Sequence, residues 1–357
     1  MIWENNLGYL YGISENFTYK QKIASFDIDG TIISTKSGKV FPVDYKDWKF
    51  LYENIVLQTL QDYYKKGYCI IFITNQGGLK TEDKKKDWIK KINNVVKEIG
   101  VPVCIFASID IYLFRKPLPS IWNIIKTMVL VSNESFYCGD AAGRDKDHND
   151  TDYKFALNCY IKFMTPEMFF LGELKNEHWE IKYPNLAEMS TTSYYKFIPS
   201  KTKELIILVG FPGSGKSSMV EKYLEPNEYM RISQDIFGVK TKKKCLDETE
   251  KYMKLSKNIV IDNLNYSREM RKIYIDIAKK YNYDVRCIIL DTSYDVSKHN
   301  MLYRYYKSGG KIGRVPDLVY NKMRKNMELP CKDEGIKIIE NIGITKPDNV
   351  EYNYYMY

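Results

Sequence analysis

Apolar residues in the first half of the chain fall in short runs, separated by longer stretches with helical spacing. Residues 23–28 (Ile-Ala-Ser-Phe-Asp-Ile), 69–74, 103–107, 136–138 and 159–163 are the length and composition of buried strands. Between them, residues 48–65, 82–99 and 120–131 repeat apolar positions every three or four residues, as a helix with one buried face must. Strands alternating with helices predict a parallel sheet with crossover connections. Over residues 173–203 the pattern gives way to charges, prolines and a Ser/Thr cluster at 190–193, the composition of a linker. A second alternation opens at 204–209 and continues through 258–262 and 285–290, with no repeat at a fixed period. The expected fold is therefore α/β with two domains, residues 1–172 and 204–357, each a parallel sheet flanked by helices and joined by the linker 173–203.

Composition adjusts this picture little. A length of 357 residues favours two domains, and 44% hydrophobic with 14% aromatic content is enough for two cores. The net charge of +9 favours an anionic partner without requiring one. None of the seven cysteines forms a C-x-x-C pair and several sit in strand-like runs, so buried thiols in a reducing compartment are expected. The three histidines, His148, His178 and His299, lie far apart, which disfavours zinc and points any metal toward carboxylates. No run approaches the ~18 apolar residues of a membrane span, and the start lacks a signal-peptide pattern. A soluble intracellular protein is expected, in nucleus or cytoplasm, or in a viral factory if viral. The lysine-rich stretches at 80–91 and 240–244 read as solvated faces.

Candidate chemistry sits where strands run out. Phe26-Asp27-Ile28-Asp29-Gly30-Thr31 places two carboxylates two residues apart at the end of the first strand-like run. At the carboxyl end of a parallel strand such groups face the ligand crevice. A hard cation makes their mutual repulsion tolerable, one acid can attack phosphorus, and the other can manage protons. Thr74 and Asn75 end the next strand, the threonine with a hydroxyl suited to a phosphoryl oxygen. Arg115 and Lys116 offer cations for the phosphate and for Asp27, and Asp140 ends another strand with a carboxylate suited to a metal. The intervals from Thr31 to Thr74 and from Thr74 to Lys116 must also supply helices and strands, so neither leaves room for a large cap over the site.

In the second half, Gly210-Phe211-Pro212-Gly213-Ser214-Gly215-Lys216-Ser217, followed by Ser218, fits G-x-x-x-x-G-K-[ST] directly after an apolar strand. Backbone N–H groups of such a loop wrap phosphates; Lys216 reaches the β- and γ-phosphates of ATP and Ser217 holds Mg²⁺. A kinase also needs a base for the attacking hydroxyl and positive charge around the transferred group. Asp235, after a short strand, is the candidate base, and Asp262, Asn263 and Asn265 end another strand where they could meet magnesium water or substrate. Arg271 and Arg304, in helical stretches after later strands, are the candidate cations.

The four first-half motifs in this order resemble the haloacid dehalogenase phosphatases. Asp-x-Asp-Gly-Thr, Thr74-Asn75-Gln76, Arg115-Lys116-Pro117 and Gly139-Asp140-Ala141-Ala142-Gly143-Arg144 together resemble the phosphatase domain of the polynucleotide kinase 3′-phosphatases, as do 155–158 and 165–170. The loop at 210–217, Ser233-Gln234-Asp235, Asp262-Asn263-Leu264-Asn265, His299-Asn300, Arg304, Val315-Pro316 and Arg324-Lys325 resemble the kinase domain of the same family. That resemblance implies a haloacid dehalogenase-like 3′-phosphatase without a large cap, fused to a P-loop 5′-hydroxyl kinase. It implies Asp27, Asp29, Thr74, Lys116, Asp235 and Arg304 as catalytic, and Asn75, Arg115, Asp262, Asn263, Asn265 and Arg271 as substrate-binding. Asp27, Asp29, Asp140 and Ser217 would hold Mg²⁺, with ATP as phosphoryl donor. The chain departs from the eukaryotic pattern in Gln234, where an arginine is usual, and in a shorter segment at 308–314. With the first strand-like run already at Ile23, the forkhead-associated module of animal members is not expected. Phosphatase-before-kinase order points to DNA ends in preference to RNA, with a DNA ligase acting downstream. The alternatives are RNA end repair and a metabolite kinase fused to a small-molecule phosphatase.

Overall fold

The computed structural model describes residues 1–110, 113–173, 179, 181–191, 195–238 and 242–357. Within the expected linker and lysine-rich stretches, Thr192, Ser193 and Lys240, like His178, lie outside the described residues. The chain divides into two compact units: Met1–Tyr183 together with Tyr354–Tyr357, and Pro184–Asn353. The last four residues thus belong with the first unit, and residues 184–203 with the second.

The first unit is built on strands β1 (Ile2–Asn6), β2 (Tyr9–Ile13), β3 (Ile23–Phe26), β4 (Ile33–Ser34), β5 (Lys49–Phe50), β6 (Cys69–Asn75), β7 (Val103–Ser108), β8 (Phe136–Cys138) and β9 (Lys162–Met164). Seven of these form a sheet in the order β1-β2-β7-β6-β3-β8-β9. From β7 to β9 the strands are parallel, while β1 and β2 add an antiparallel edge. Helices α1 (Glu53–Lys65), α2 (Glu82–Ile99), α3 (Ser120–Met128), α4 (Thr151–Cys159) and α5 (Pro166–Leu171) complete the unit. Ile70, Phe72 and Ile105 pack on one face of the sheet with Val56, Trp88 and Val95. Ile71, Ile73 and Phe106 pack on the other with Trp122 and Phe155. Strands covered on both faces read as continuous apolar runs, which is why 69–74 and 103–107 were legible as strands.

Three local expectations need correction, and the N-terminal hairpin of β1 and β2 is an addition to them. The helix expected from 48 begins only at Glu53, because Lys49 and Phe50 pair with Ser34 and Ile33. The strand expected at 159–163 is displaced to Lys162–Met164, since Cys159 closes α4 and Tyr160 turns the chain with φ 57°. The helix from Ser120 stops at Met128, with Val129 already extended.

The second unit is a five-stranded, wholly parallel sheet. Its strands are β10 (Glu204–Val209), β11 (Met230–Ile232), β12 (Ile259–Ile261), β13 (Asp284–Leu290) and β14 (Ile338–Ile342), in the order β11-β12-β10-β13-β14. Helices α6 (Lys216–Met219), α7 (Gln234–Phe237), α8 (Lys243–Lys254), α9 (Arg268–Lys280), α10 (Tyr294–Lys307) and α11 (Asp317–Lys325) follow the strands. The strand order reverses around the central β10, and a ligand crevice is expected beyond its carboxyl end.

Candidate active sites

In the first unit the carboxyl ends of β3, β6 and β8 deliver Asp27, Thr74 and Asp140 to one edge of the sheet. Asp27 is buried, with its backbone N–H donated to the Cys138 carbonyl at 2.9 Å. Lys116 is buried beside it, and its Nζ donates to Asp27 Oδ1 at 2.7 Å, Asp152 Oδ1 at 2.7 Å and the Tyr137 hydroxyl at 2.6 Å. Asn75 fixes that lysine by gripping its backbone: Nδ2 donates to the Lys116 carbonyl and Oδ1 accepts from its N–H. These two bonds make Asn75 a positioning residue for Lys116, and its second N–H and second lone pair stay open to the substrate contact expected of it.

Asp27, Asp140 and Asp152 bring carboxylate oxygens within 4.8 Å of one another. Asp152 comes from the first turn of α4 and was not among the expected ligands. Two glycines make this approach sterically open: a Cβ on Gly30 would stand 2.5 Å from Asp140 Oδ2, and one on Gly139 2.4 Å from Asp152 Oδ2. Burial raises the Asp27 carboxyl above its ordinary range; Lys116 opposes this, while Asp152 and Asp140 add to it. Asp140 is likewise raised by burial and then by Asp152. For Lys116, burial pulls downward, but Asp152 and Asp27 outweigh it and the ammonium is stabilised. Three hard oxygen donors whose negative charge one lysine does not offset are a donor set that fits Mg²⁺.

Asp29 lies outside that trio, contrary to its expected place among the metal ligands. Its carboxylate is bound by Lys91 Nζ at 3.0 Å on Oδ1 and by Gln76 Nε2 at 2.7 Å on Oδ2. Gln76 also donates to the buried Thr74 hydroxyl at 3.2 Å. Arg115 is half-buried, and burial lowers its guanidinium from the usual value.

In the second unit the loop after β10 carries Lys216, buried, with Nζ donating to the Gly210 and Phe211 carbonyls at 2.8 Å each. Burial lowers this lysine to about 8, with Asp262 and Asp235 acting upward and Arg304 downward. Ser217 Oγ donates to Asp262 Oδ2 at 3.0 Å, and Arg231 donates to the same oxygen through Nε at 3.0 Å and NH2 at 2.7 Å. A loop serine against a strand-end carboxylate is the oxygen pair that holds Mg²⁺ in P-loop enzymes, and these residues fit it. Asp235 is exposed in the first turn of α7, where Ser233 caps the helix and Asn263 Oδ1 accepts from the Gln234 N–H. Arg304 is exposed on α10 and lines, with Gly213, Gly215, Ser218, Tyr303 and Ile344, a cavity of about 280 Å³ beside the loop.

Two residues expected to contact substrate are instead buried among protein partners. Arg271 has no exposed surface; it binds Glu334 through two hydrogen bonds of 2.8 and 2.7 Å and donates to the Asn265 and Glu328 carbonyls. Asn265 is buried with φ 46°, and its Nδ2 donates to the Leu208, Ile261 and Asn263 carbonyls. It ties the ends of β10 and β12 together. Arg231, in the short strand that precedes Asp235, is not among the expected site residues, yet its guanidinium holds the Asp262 carboxylate.

Residues 22–170 match the polynucleotide kinase 3 phosphatase family and residues 205–330 match the AAA domain family. The chain is 37% identical over 329 residues to the bifunctional polynucleotide phosphatase/kinase of Schizosaccharomyces pombe, covering 90% of this chain and 79% of that one. A protein of Acanthamoeba polyphaga mimivirus, provisionally given the same name, is 37% identical over 390 residues, 96% of this chain and 90% of its own. The polynucleotide 3′-phosphatase of Saccharomyces cerevisiae is 26% identical over 209 residues, covering 42% of this chain and 87% of that protein. With two α/β units, a lysine-clamped buried aspartate in one and a P-loop in the other, the chain belongs to the family of bifunctional polynucleotide phosphatase/kinases.

Proposed function

We propose that the protein heals nucleic-acid ends, removing a 3′-phosphate at the first site and phosphorylating a 5′-hydroxyl at the second. The observation that carries this reading is the pairing on one chain of two phosphoryl-handling sites with different chemistry. One is built on Asp27 and Lys116, the other on Lys216, Ser217 and Asp262.

At the first site Asp27 attacks the phosphorus of the 3′-phosphate, forming an aspartyl-phosphate as the bond to the 3′-oxygen breaks. Asp29 gives the leaving oxygen its proton and then takes one from the water that hydrolyses the intermediate. Lys116 holds Asp27 in line, Thr74 and Arg115 contact phosphoryl or strand phosphate oxygens, and Asn75 keeps Lys116 in place. Asp27, Asp140 and Asp152 would hold Mg²⁺, which supplies charge neutralisation for the approach of carboxylate to phosphate. At the second site the loop 210–218 and Lys216 cradle the ATP phosphates, and Ser217 with Asp262 would hold the metal. Asp235 takes the proton from the 5′-hydroxyl, and Arg304 with Lys216 stabilises charge on the transferred group.

DNA is the preferred substrate in this reading, because the phosphatase precedes the kinase along the chain. One experiment tests it. An oligonucleotide with a 5′-hydroxyl and a 3′-phosphate, as DNA and as RNA, is incubated with enzyme, Mg²⁺ and ATP, and both ends are read. Conversion of both ends on DNA supports the proposal; turnover confined to mononucleotides or metabolites overturns it.

A further inference from the structure

The residues Tyr354–Tyr357, which follow the second unit in sequence, pack within the first. They do so through polar groups that are themselves buried. Asn158 on α4 clamps the backbone of Tyr355, with Oδ1 accepting from its N–H at 2.8 Å and Nδ2 donating to its carbonyl at 2.8 Å. The same Nδ2 donates to the Pro117 carbonyl at 2.9 Å. Lys154, one turn earlier, donates to the Tyr357 backbone oxygen at 2.9 Å and pairs with Asp150 at 2.8 Å. The Tyr183 hydroxyl accepts from the Met356 N–H at 2.9 Å, and its ring lies 5.0 and 4.9 Å from those of Tyr355 and Tyr357. Asn158 is 4% exposed, Lys154 3% and Met356 5%.

A buried amide and a buried ammonium on the inner face of a helix need partners, since each unmet polar group costs about 1–3 kcal/mol. Here the backbone of Tyr355 and Tyr357 supplies part of that partnering, and the Pro117 carbonyl and Asp150 supply the rest. The helix they stabilise is the one whose first turn supplies Asp152, and Pro117, held by Asn158, directly follows Lys116. Asp152 and Lys116 are bonded to each other at 2.7 Å, and Lys116 is bonded to Asp27.

We infer that Tyr354–Tyr357, through Asn158 and Lys154, form a positioning element of the phosphatase site, so that chain made after the kinase unit sets the geometry around Asp27. The tail acts by fixing the two segments that carry Asp152 and Lys116. This rests on the phosphatase reading of the Asp27 site.

The test compares the full chain with a deletion of residues 354–357 and with Tyr355→Pro, which removes one N–H from the Asn158 clamp and leaves the rest of the tail. Each is assayed for removal of an oligonucleotide 3′-phosphate and, in the same preparation, for 5′-phosphorylation. The expected result is a fall in phosphatase kcat of roughly ten- to a hundredfold with KM unchanged, a raised Mg²⁺ midpoint for that activity, and intact kinase activity. Amide exchange in β3 and β6 should stay protected. Full phosphatase activity in both variants overturns the inference. So does loss of protection across β3 and β6, which would make the tail a general fold support. A full-length chain without phosphatase activity would instead sink the reading of the site itself.

Discussion

The two units place their chemistry alike, beyond the carboxyl ends of parallel strands, yet they hold charge in opposite ways. Around Asp27 the charges close on one another: Lys116 spends its hydrogen bonds on Asp27, Asp152 and Tyr137 inside a buried cluster. Around the P-loop the proposed base Asp235 and the proposed cation Arg304 are exposed, and Lys216 folds onto loop carbonyls. The difference follows from the reactions. A protein carboxylate that must attack phosphorus is one of the reactants, so its position is built into the fold. A kinase joins two external substrates, and the groups that meet them stay reachable until both are bound.

The strongest way to break this comparison is to remove one site and ask whether the other notices. Asp27→Ala should lower 3′-dephosphorylation by more than about 10⁴-fold while kinase activity persists. Lys216→Ala should abolish 5′-phosphorylation and spare the phosphatase. If either substitution silenced both activities in folded protein, the picture of two separate sites would be lost.

The second unit has its own closed cluster, but it serves the fold. The fully buried Arg271 and the partly buried Glu334 form a pair linking α9 to the segment before β14. Arg271→Met leaves that carboxylate only the Cys331 N–H and the more distant Arg268, removes the bonds to the Asn265 and Glu328 carbonyls, and should destabilise the second unit by about 3 kcal/mol. Unfolding followed by urea-dependent loss of kinase activity measures this. A substitution that changed KM for the nucleic acid and left stability untouched would return Arg271 to the substrate-binding role first expected of it.

Those contrasts explain what was legible in the sequence. Phe26-Asp27, Thr74-Asn75, Asp140 and the loop 210–217 were readable because a buried parallel strand is an apolar run, and the polar residues at its exit have few structural reasons to be there. Asp152 was not readable, since it arrives from a helix and its approach depends on the missing Cβ of Gly139. Arg271 and Asn265 looked functional by their place after a strand, while their partners at Glu334, Glu328 and Leu208 are distant in sequence. The hairpin of β1 and β2 was hidden because Ile2–Asn6 is mostly exposed and carries no buried alternation.

The first site can be sharpened by separating its two kinds of carboxylate. Asp152→Asn weakens the metal trio and the grip on Lys116, so phosphatase activity should fall about a hundredfold and recover in part at high Mg²⁺ or Mn²⁺. Asp29→Asn should cost a similar factor, with an unchanged metal midpoint. Metal rescue of Asp29→Asn but not of Asp152→Asn would reverse the assignment.

The smallest effect concerns a buried histidine outside the proposed catalytic set. His299 on α10 is fully buried, with its ring 4.7 Å from that of Tyr352. Burial lowers it to about 4, with a backbone contact from Tyr352 acting weakly the other way. An unfolded histidine titrates near 6.5. Between these values the unfolded chain holds a proton that the folded chain refuses, so stability is complete above about pH 6.5 and falls as pH drops toward 4. The loss should reach about 2 kcal/mol by pH 5. The first unit has no histidine in its core among the described residues, so this term belongs to the second unit alone. Comparing the urea midpoints for kinase inactivation at pH 7 and pH 5, in the native chain and in His299→Phe, isolates it, because carboxylate titration is common to both. The variant should lose less stability on acidification. Equal losses would mean that His299 takes up its proton in the folded state, and that the cavity around Tyr352 is wetter than its packing indicates.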